Sequence, residues 1–500
     1  TRVNMGNKKK VIVIGAGFSG LSASASLAAK GFEVTVLEKN STPGGRARQF
    51  SSDGFTFDMG PSWYWMPEVF EDYFASFNKK VSDYYTLDRL DPSYKISFGK
   101  DDDVVLPASI EGIYSLYETI EPGSSANLKK FLSESAYKYK TGMGRFVRKP
   151  SHSVTEYMSW EILKAGLKLN MFSSFGSYTR RYFKSERIRR MLEFPVLFLG
   201  GTAETTPALY SLMNYSDMVQ GTWYPRGGMY KVVEAMENLA REQGVRFIYN
   251  AEVIDVGTEN NRIVSLSTAD ETYEADFVIA SGDYHHFEQQ LLPLTHRKYS
   301  GKYWDKRVLS PSSLIFFMGF NTRIPGLNHH TLLFDEDFRE HAESIYKSPS
   351  WPGKPSIYIS CTSKTDSSVA PEGHENVFIL IPVAPGLEDT DEIRSHYLQM
   401  ALNRLERYTG QQLKDKLVYL KSYAHRDFEN DYHAYKGNAY GLANTLMQTA
   451  FLKPSMKNPK VRNLMYAGQL TVPGPGVPPA IISGQMAAEE IYKLSKTASI

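Results

Sequence analysis

Cysteine is almost missing from this 500-residue chain: Cys361 stands alone. A single thiol excludes an intramolecular disulfide and any cysteine-built metal cluster, and it fits a reducing compartment. An excess of either charge is missing too. The 57 basic and 55 acidic residues leave a formal net charge of +2, which argues against a polyanion-binding surface over the whole molecule and against nucleic acid as a partner. Long hydrophobic runs are absent as well: "FPVLFLGG" (Phe194–Gly201) and "SSLIFFMGF" (Ser312–Phe320) fall far short of the roughly 18–20 residues that span a bilayer. No Ser-His-Asp arrangement or metal-like spacing of His and Cys is visible. His285, His286, His329, His330 and His433 are therefore expected to serve loops or packing, with no metal. Thr1–Asn4 precede the first methionine, Met5, and read as an expression scar. No secretory signal follows, so the expected location is cytoplasmic. The remaining composition, 42% hydrophobic and 22% charged, is that of a soluble globular protein with room for two or more domains.

What the chain does have is punctuated glycine. In "KKKVIVIGAGFSGLSASASLAAKGFEVTVLEKN" the run Val11–Ile14 reads as a strand buried on both faces of a parallel sheet. Gly15, Gly17 and Gly20 form G-x-G-x-x-G, a helix of small residues follows, Gly31 ends it, and "EVTVLEK" gives a second strand with Glu38 at its end. The order has a physical reason. Gly15 permits the tight turn, Gly17 lets the backbone approach a pyrophosphate, Gly20 allows close helix–strand packing, and the helix N-terminus faces the phosphates. Glu38 is placed to accept hydrogen bonds from a ribose diol. This unit recognises what NAD and FAD share. A second turn, Pro43-Gly44-Gly45-Arg46, followed by Gly60-Pro61, can touch the far side of the pyrophosphate of a long, extended cofactor, and so points to FAD.

Near the other end, "YAGQLTVPGPGVPPAIISGQMAAE" sets prolines and glycines in front of a helix-like run. Pro478 and Pro479 suit a first helical turn, where a missing N–H costs nothing, and Gly474 and Gly476 allow tight turns beside a flat ring. A helix N-terminus fixed near Ala480 and Ile481 would stabilise negative charge on reduced flavin.

Together, "VIVIGAGFSGL", "LEKNSTPGGRA", "FTFDMGPSWYWMPEVF", "YPRGGM", "NAYGLANTL" and "YAGQLTVPGPGVPPAIISG" resemble the phytoene-desaturase family of carotenoid-modifying flavoenzymes, within the amine-oxidase-like FAD superfamily, from Lys8 to Leu494. The resemblance implies an α/β fold: a Rossmann-type FAD-binding domain, an inserted mixed-sheet substrate domain and a helical region placed to contact a membrane. It extends the cofactor set to Phe18, Ser19, Lys39, Ser62, Val253 (meeting the adenine through backbone), Gly468, Gln469 and Val477. It implies FAD-dependent desaturation of phytoene or a relative to more conjugated polyenes such as lycopene, with oxygen or a quinone as electron acceptor. A hydroxylated or C30 carotenoid, an amine substrate, and a carotenoid carrier keeping FAD as a prop are the alternatives. No residue is assigned as catalytic acid or base.

The expected organisation is a cofactor domain in three pieces, 5–91, 221–307 and 446–500, with a helical region at 92–220 and a substrate sheet at 308–445. "VRFIYNAEVIDV" (Val245–Val256) reads as one strand. Trp63, Trp65 and Tyr440, with Tyr64 and Met66, read either as the wall of a polyene tunnel or as core. Glu156–Gly201 mixes apolar residues with Lys164, Lys168, Arg180, Arg181, Lys184, Arg187, Arg189 and Arg190. It reads either as a membrane-facing surface, with the protein peripheral at the cytoplasmic membrane face, or as a solvated helix face.

Overall fold

The structure is a computed structural model that describes residues 8–148, 173–197, 200–445, 448–449 and 452–497. Its first layer is a five-stranded parallel sheet in the order Leu464–Tyr466, Phe277–Ala280, β1 (Lys10–Ile14), β2 (Glu33–Leu37) and Arg246–Ile248. Parallel strands covered on both faces need apolar side chains on both, which is why Phe277–Ala280 is buried throughout and Val11, Ile12 and Val13 show almost no surface. Three stretches distant in sequence thus meet in one sheet, and their C-terminal ends open on the same side.

Helix α1 (Phe18–Ala29) lies against this sheet and is crossed by the last helix, Val477–Thr497. Their small residues matter because the backbones nearly touch. A Cβ on Gly20 would sit 1.9 Å from the carbonyl oxygen of Gly15, and one on Gly484 would sit 2.2 Å from that of Ser19. Ser22 Oγ donates to Ile481 O at 2.7 Å across the same crossing.

The second layer is a seven-stranded sheet in the order Leu417–Tyr423, Ser312–Phe320, Glu375–Val383, Ile357–Ser360, His330–Leu333, Tyr94–Ser97 and Asp103–Leu106. Pairing is antiparallel except where His330–Leu333 runs parallel to Tyr94–Ser97. Side chains alternate between faces with period two. Leu314, Phe316 and Met318 pack with Val377, Ile379 and Ile381 on one face, against Leu402 and Leu405 of the helix Asp391–Thr409. Ile315, Phe317, Tyr358, Phe378 and Leu380 face the other way, into the core shared with the cofactor layer. Each fully buried Ile, Leu or Phe contributes about 1.5–3 kcal/mol, so the register of these strands is held from both sides.

Two local readings are corrected. Val245–Val256 is not one strand: Arg246–Ile248 joins the parallel sheet, whereas Asp255–Glu259 opens a separate three-stranded antiparallel sheet with Arg262–Ser267 and Thr272–Glu274. The break falls at Asn250, whose φ of 52° no strand accommodates. The region after Pro92 is also not only helical, because Tyr94–Ser97 and Asp103–Leu106 form a hairpin added to the substrate sheet. Helices Ile110–Ile120, Ser124–Thr141, Phe175–Arg180 and Glu186–Leu197 follow. Among the described residues no helix is long and apolar enough to cross a membrane.

Candidate cofactor and substrate site

One cavity of about 400 Å3 lies where the two layers meet. Its first wall is made by the C-terminal strand ends, the place where doubly wound sheets bind ligands. Ile14 ends β1 and Gly15 and Gly17 follow it, Glu38 follows β2, Ser281 and Asp283 follow Phe277–Ala280, and Gly468 follows Leu464–Tyr466. Every residue of the expected cofactor set lines this cavity except Gly20, which is enclosed under the first turn. Phe18 and Ser19 open α1; Gly44 caps the short helical turn Gly45–Ala47, in which Gly45 lies against Gly17; Gly60, Pro61 and Ser62 close over it; Val253 lies in the irregular stretch after Asn250. Val477, Pro478 and Ala480 present the first turn of the last helix, so Pro478 does occupy the first turn.

The acidic groups on this wall already have partners. Glu38 accepts from Ala16 N at 2.7 Å and from Asn40 N at 2.8 Å. Asp283 accepts from the amides of His286 and Tyr435 at 2.9 and 3.1 Å, and burial raises its pKa against the pull of those bonds. Asp431 pairs with Arg48 and accepts from Tyr423. Glu252 meets His433 at 2.5 Å, and Lys39 reaches the same imidazole at 3.1 Å. His433 stacks on His286 at 3.9 Å, and burial lowers the His286 pKa to about 4. These two histidines line the cavity; their pairing joins residues 147 positions apart, which no sequence spacing signals.

The second wall is aromatic and apolar. Ile315, Leu380 and Tyr358 stand in one rank across three strands, since Ile315 pairs with Leu380 and Leu380 with Tyr358. Trp63, Trp65, Met66, Met213 and Tyr440 complete it. Tyr64, by contrast, is fully buried core, stacked on Phe70 at 4.3 Å. The tryptophan loop is held by the segment Ser216–Trp223: Met66 N donates to Ser216 Oγ at 2.9 Å, Trp65 Nε1 to Thr222 Oγ1 at 2.8 Å, and Trp223 N to Tyr64 O at 3.2 Å. Thr222 in turn donates to Asp217, which also accepts from Tyr94 Oη at 2.7 Å. Desolvation raises the Asp217 carboxyl pKa to about 7. A buried acid thus anchors the aromatic wall without touching the cavity.

Two observations bear on whether a flavin dinucleotide fits. A Cβ on Gly17 would meet no protein atom, so the backbone there faces open cavity. Arg46 spends one donor on Asn438 O, while its enclosed Nε has no hydrogen-bond partner. Burial pulls its pKa below the ordinary arginine value, with Asp283 opposing. A desolvated cation with a spare donor, opposite a glycine cradle at a helix N-terminus, is a site built for an anion.

The family model for flavin-containing amine oxidoreductases matches residues 18–492. The chain belongs to this family. Its cofactor is FAD. Of the relatives of this flavoprotein, a carotenoid 3,4-desaturase of Haloarcula japonica is 39% identical over 97% of the chain and 98% of the relative. A zeta-carotene-forming phytoene desaturase of Myxococcus xanthus is 31% identical over 97% and 94%. An oxidoreductase structure from Methanosarcina mazei, 17% identical, superposes with a TM-score of 0.61 over 96% of the chain and all of the other, which shows the shared α/β fold. The flavin-binding fold and family expected from the motifs are therefore found.

Proposed function

We propose that this flavoprotein desaturates a carotenoid, with its cofactor held by the glycine cradle, Arg46, Glu38 and the rest of the expected set, and its substrate lying on the aromatic wall. The observation that carries the reading is the cavity's division: every carboxylate on it is satisfied by the chain, and the opposite face is Trp63, Trp65, Ile315, Leu380 and Tyr358. The aromatic face offers no carboxylate to an ammonium substrate, whereas an uncharged polyene gains from each apolar contact. The identity to a carotenoid 3,4-desaturase exceeds that to a phytoene desaturase, so we favour the 3,4 bond over the first steps on phytoene.

FAD, when bound, supplies the two-electron oxidant. The chain's part is to orient the polyene against it, to exclude water with Met66, Met213 and the tryptophans, and to receive a proton. Oxygen or a quinone would reoxidise the cofactor. Delivery of so apolar a substrate favours a peripheral position at the cytoplasmic membrane face. Of the basic residues expected there, Lys164 and Lys168 lie outside the described residues. Arg187 pairs with Asp102, Arg190 donates to Phe334 O and Glu336 O, and Arg180 lies 3.7 Å from Glu204. These three are engaged by the protein, which shifts any lipid contact to their neighbours.

The test is anaerobic mixing of the FAD-loaded protein with liposomes carrying either phytoene or a carotenoid saturated at C3–C4. The expected result is bleaching of the flavin by the second and a product whose absorption lies further to the red. An oxidised flavin with both substrates would overturn the reading.

A further inference from the structure

Forming a double bond removes two protons and two electrons from neighbouring carbons. Bound FAD would take two electrons and one proton, which leaves a second proton for another acceptor, a role that a base of the chain can fill. We propose that this base is His330, reached from the cavity through the hydroxyl of Tyr358, with Ser62 completing the row. The inference rests on the carotenoid reading above.

Three side chains from distant segments make the row. Tyr358 stands in the rank with Ile315 and Leu380, and both it and Ser62 face the cavity. Its Oη lies 2.8 Å from Ser62 Oγ and 2.7 Å from His330 Nδ1. His330 is on the neighbouring strand, paired with Ser360 two residues beyond Tyr358, so the diagonal brings phenol and imidazole to one face. The ring is fully buried, and its Nε2 has no hydrogen-bond partner. Tyr358 Oη donates to Ser62 Oγ; hydroxyls rotate, and turning the phenol proton to His330 Nδ1 lets Ser62 donate to Tyr358 Oη in its place.

The row's chemistry balances. As the C–H bond of the second carbon breaks, its electron pair becomes the new π bond, and its proton passes to Tyr358 Oη. The phenol proton passes to Nδ1, leaving phenol intact and imidazole as imidazolium; FAD, when bound, would take the other proton together with the electron pair of its C–H bond. Positive charge building on the first carbon as its hydrogen departs makes the neighbouring C–H acidic in the same step, so a weak base suffices. Burial holds the His330 pKa well below its ordinary value, which keeps the imidazole neutral and ready. The charge it gains is not left in a purely apolar shell. Trp63 stacks on the ring at 3.9 Å with a 12° interplanar angle, and its π face favours a cation. His329, at 4.5 Å, is itself kept neutral by burial, with a pKa lowered to about 3.

The test uses the FAD-loaded protein. Nitrogen-15 histidine spectra, assigned with His330→Gln, are expected to show His330 neutral at pH 7 and its Nδ1 resonance shifted in Tyr358→Phe. A charged ring, or a resonance indifferent to Tyr358, overturns the assignment. In anaerobic stopped flow, His330→Gln and Tyr358→Phe should bleach about 10²- to 10⁴-fold more slowly than wild type, with FAD affinity unchanged. Added imidazole should restore His330→Ala and leave Tyr358→Phe slow. Bleaching within threefold of wild type in both variants, or no response to imidazole, refutes the relay. Should a variant not fold, the solvent deuterium effect on wild-type bleaching decides: a normal effect supports transfer through an exchangeable hydroxyl, and its absence refutes it. If wild type is bleached and the relay variants are too, only the relay falls. If no carotenoid bleaches wild type, the function reading falls with it.

Discussion

The crossing of α1 and the last helix turns a single methyl group into a test of how the cofactor is held. In Gly484→Ala the new Cβ would lie 2.2 Å from Ser19 O and 2.9 Å from both Ala23 N and Ser22 Cβ, against an ordinary contact of 3.4 Å or more. The obstacles are backbone and a short side chain in mid-helix, so neither can swing aside, and the helices must part by about 1 Å at a cost of about 1–3 kcal/mol. Without cofactor that strain is relieved by letting the last helix move outward. With cofactor, the first turns of both helices, at Ser19 and at Pro478, line one cavity and have to close on it. The strain therefore reappears as weaker FAD binding, by a factor of about 5 to 150 at 1.4 kcal/mol per tenfold. Titration of cofactor-free protein with FAD, followed by flavin fluorescence, measures the factor directly. Gly353→Ala is the control: a Cβ there meets nothing within 4 Å, and no change is expected. A dissociation constant for Gly484→Ala within twofold of wild type, with unaltered thermal unfolding of the loaded protein, would refute the reasoning.

Arg46→Ala removes the enclosed cation and should weaken FAD by about 10- to 150-fold, the range for a charge-assisted hydrogen bond of about 1.5–3 kcal/mol. Arg46→Lys, which keeps charge but loses the planar fork, should fall between, read by the same titration. Asp217→Asn should flatten the pH dependence of stability. The carboxyl pKa rises from 3.8 to about 7 on folding, so its stabilisation is fully present below the unfolded value and is lost as pH climbs through about 7. The wild type should therefore lose up to about 4 kcal/mol between pH 4 and pH 8 that the asparagine variant retains. Urea unfolding of both proteins across that range measures it, and parallel curves would contradict the assignment.

What the sequence revealed and what it hid follow from the range of the interactions involved. The β1–α1–β2 unit, Glu38 at its end, the second glycine turn and the proline-led helix were legible because each is a local pattern with one backbone solution. The rank Ile315, Leu380, Tyr358 was not. "NVFILIPV" and "SSLIFFMGF" are apolar on both faces, so alternation cannot say which face looks into a cavity, and only pairing between strands far apart in sequence decides. The Asn250 break lay in a run of strand-like residues, and the Tyr94–Leu106 hairpin joins its sheet through a parallel partner more than 200 residues away. For the tryptophans, lining a cavity and packing in the core are not rivals. Trp65 is 7% exposed, touches the cavity and is hydrogen-bonded from behind by Thr222.

The two layers divide the work by the kind of group they offer. The cofactor layer presents mostly backbone: strand ends, glycine turns and two helix N-termini, whose positions are fixed by packing such as that of Gly20 and Gly484. Such a surface suits phosphate and ribose, which backbone amides and helix N-termini can meet whatever the neighbouring side chains. The substrate sheet presents side chains at alternate positions, and each can be exchanged without shifting the strand, because the opposite face is locked against Asp391–Thr409. On the proposed reading, Ile315 and Leu380 are the sheet positions where an exchange would alter substrate choice, beside Tyr358 of the proposed relay. The two kinds of surface meet in the loop Gly60–Met66, where Gly60, Pro61 and Ser62 of the expected cofactor set run directly into Trp63 and Trp65, so an exchange in this loop reaches both.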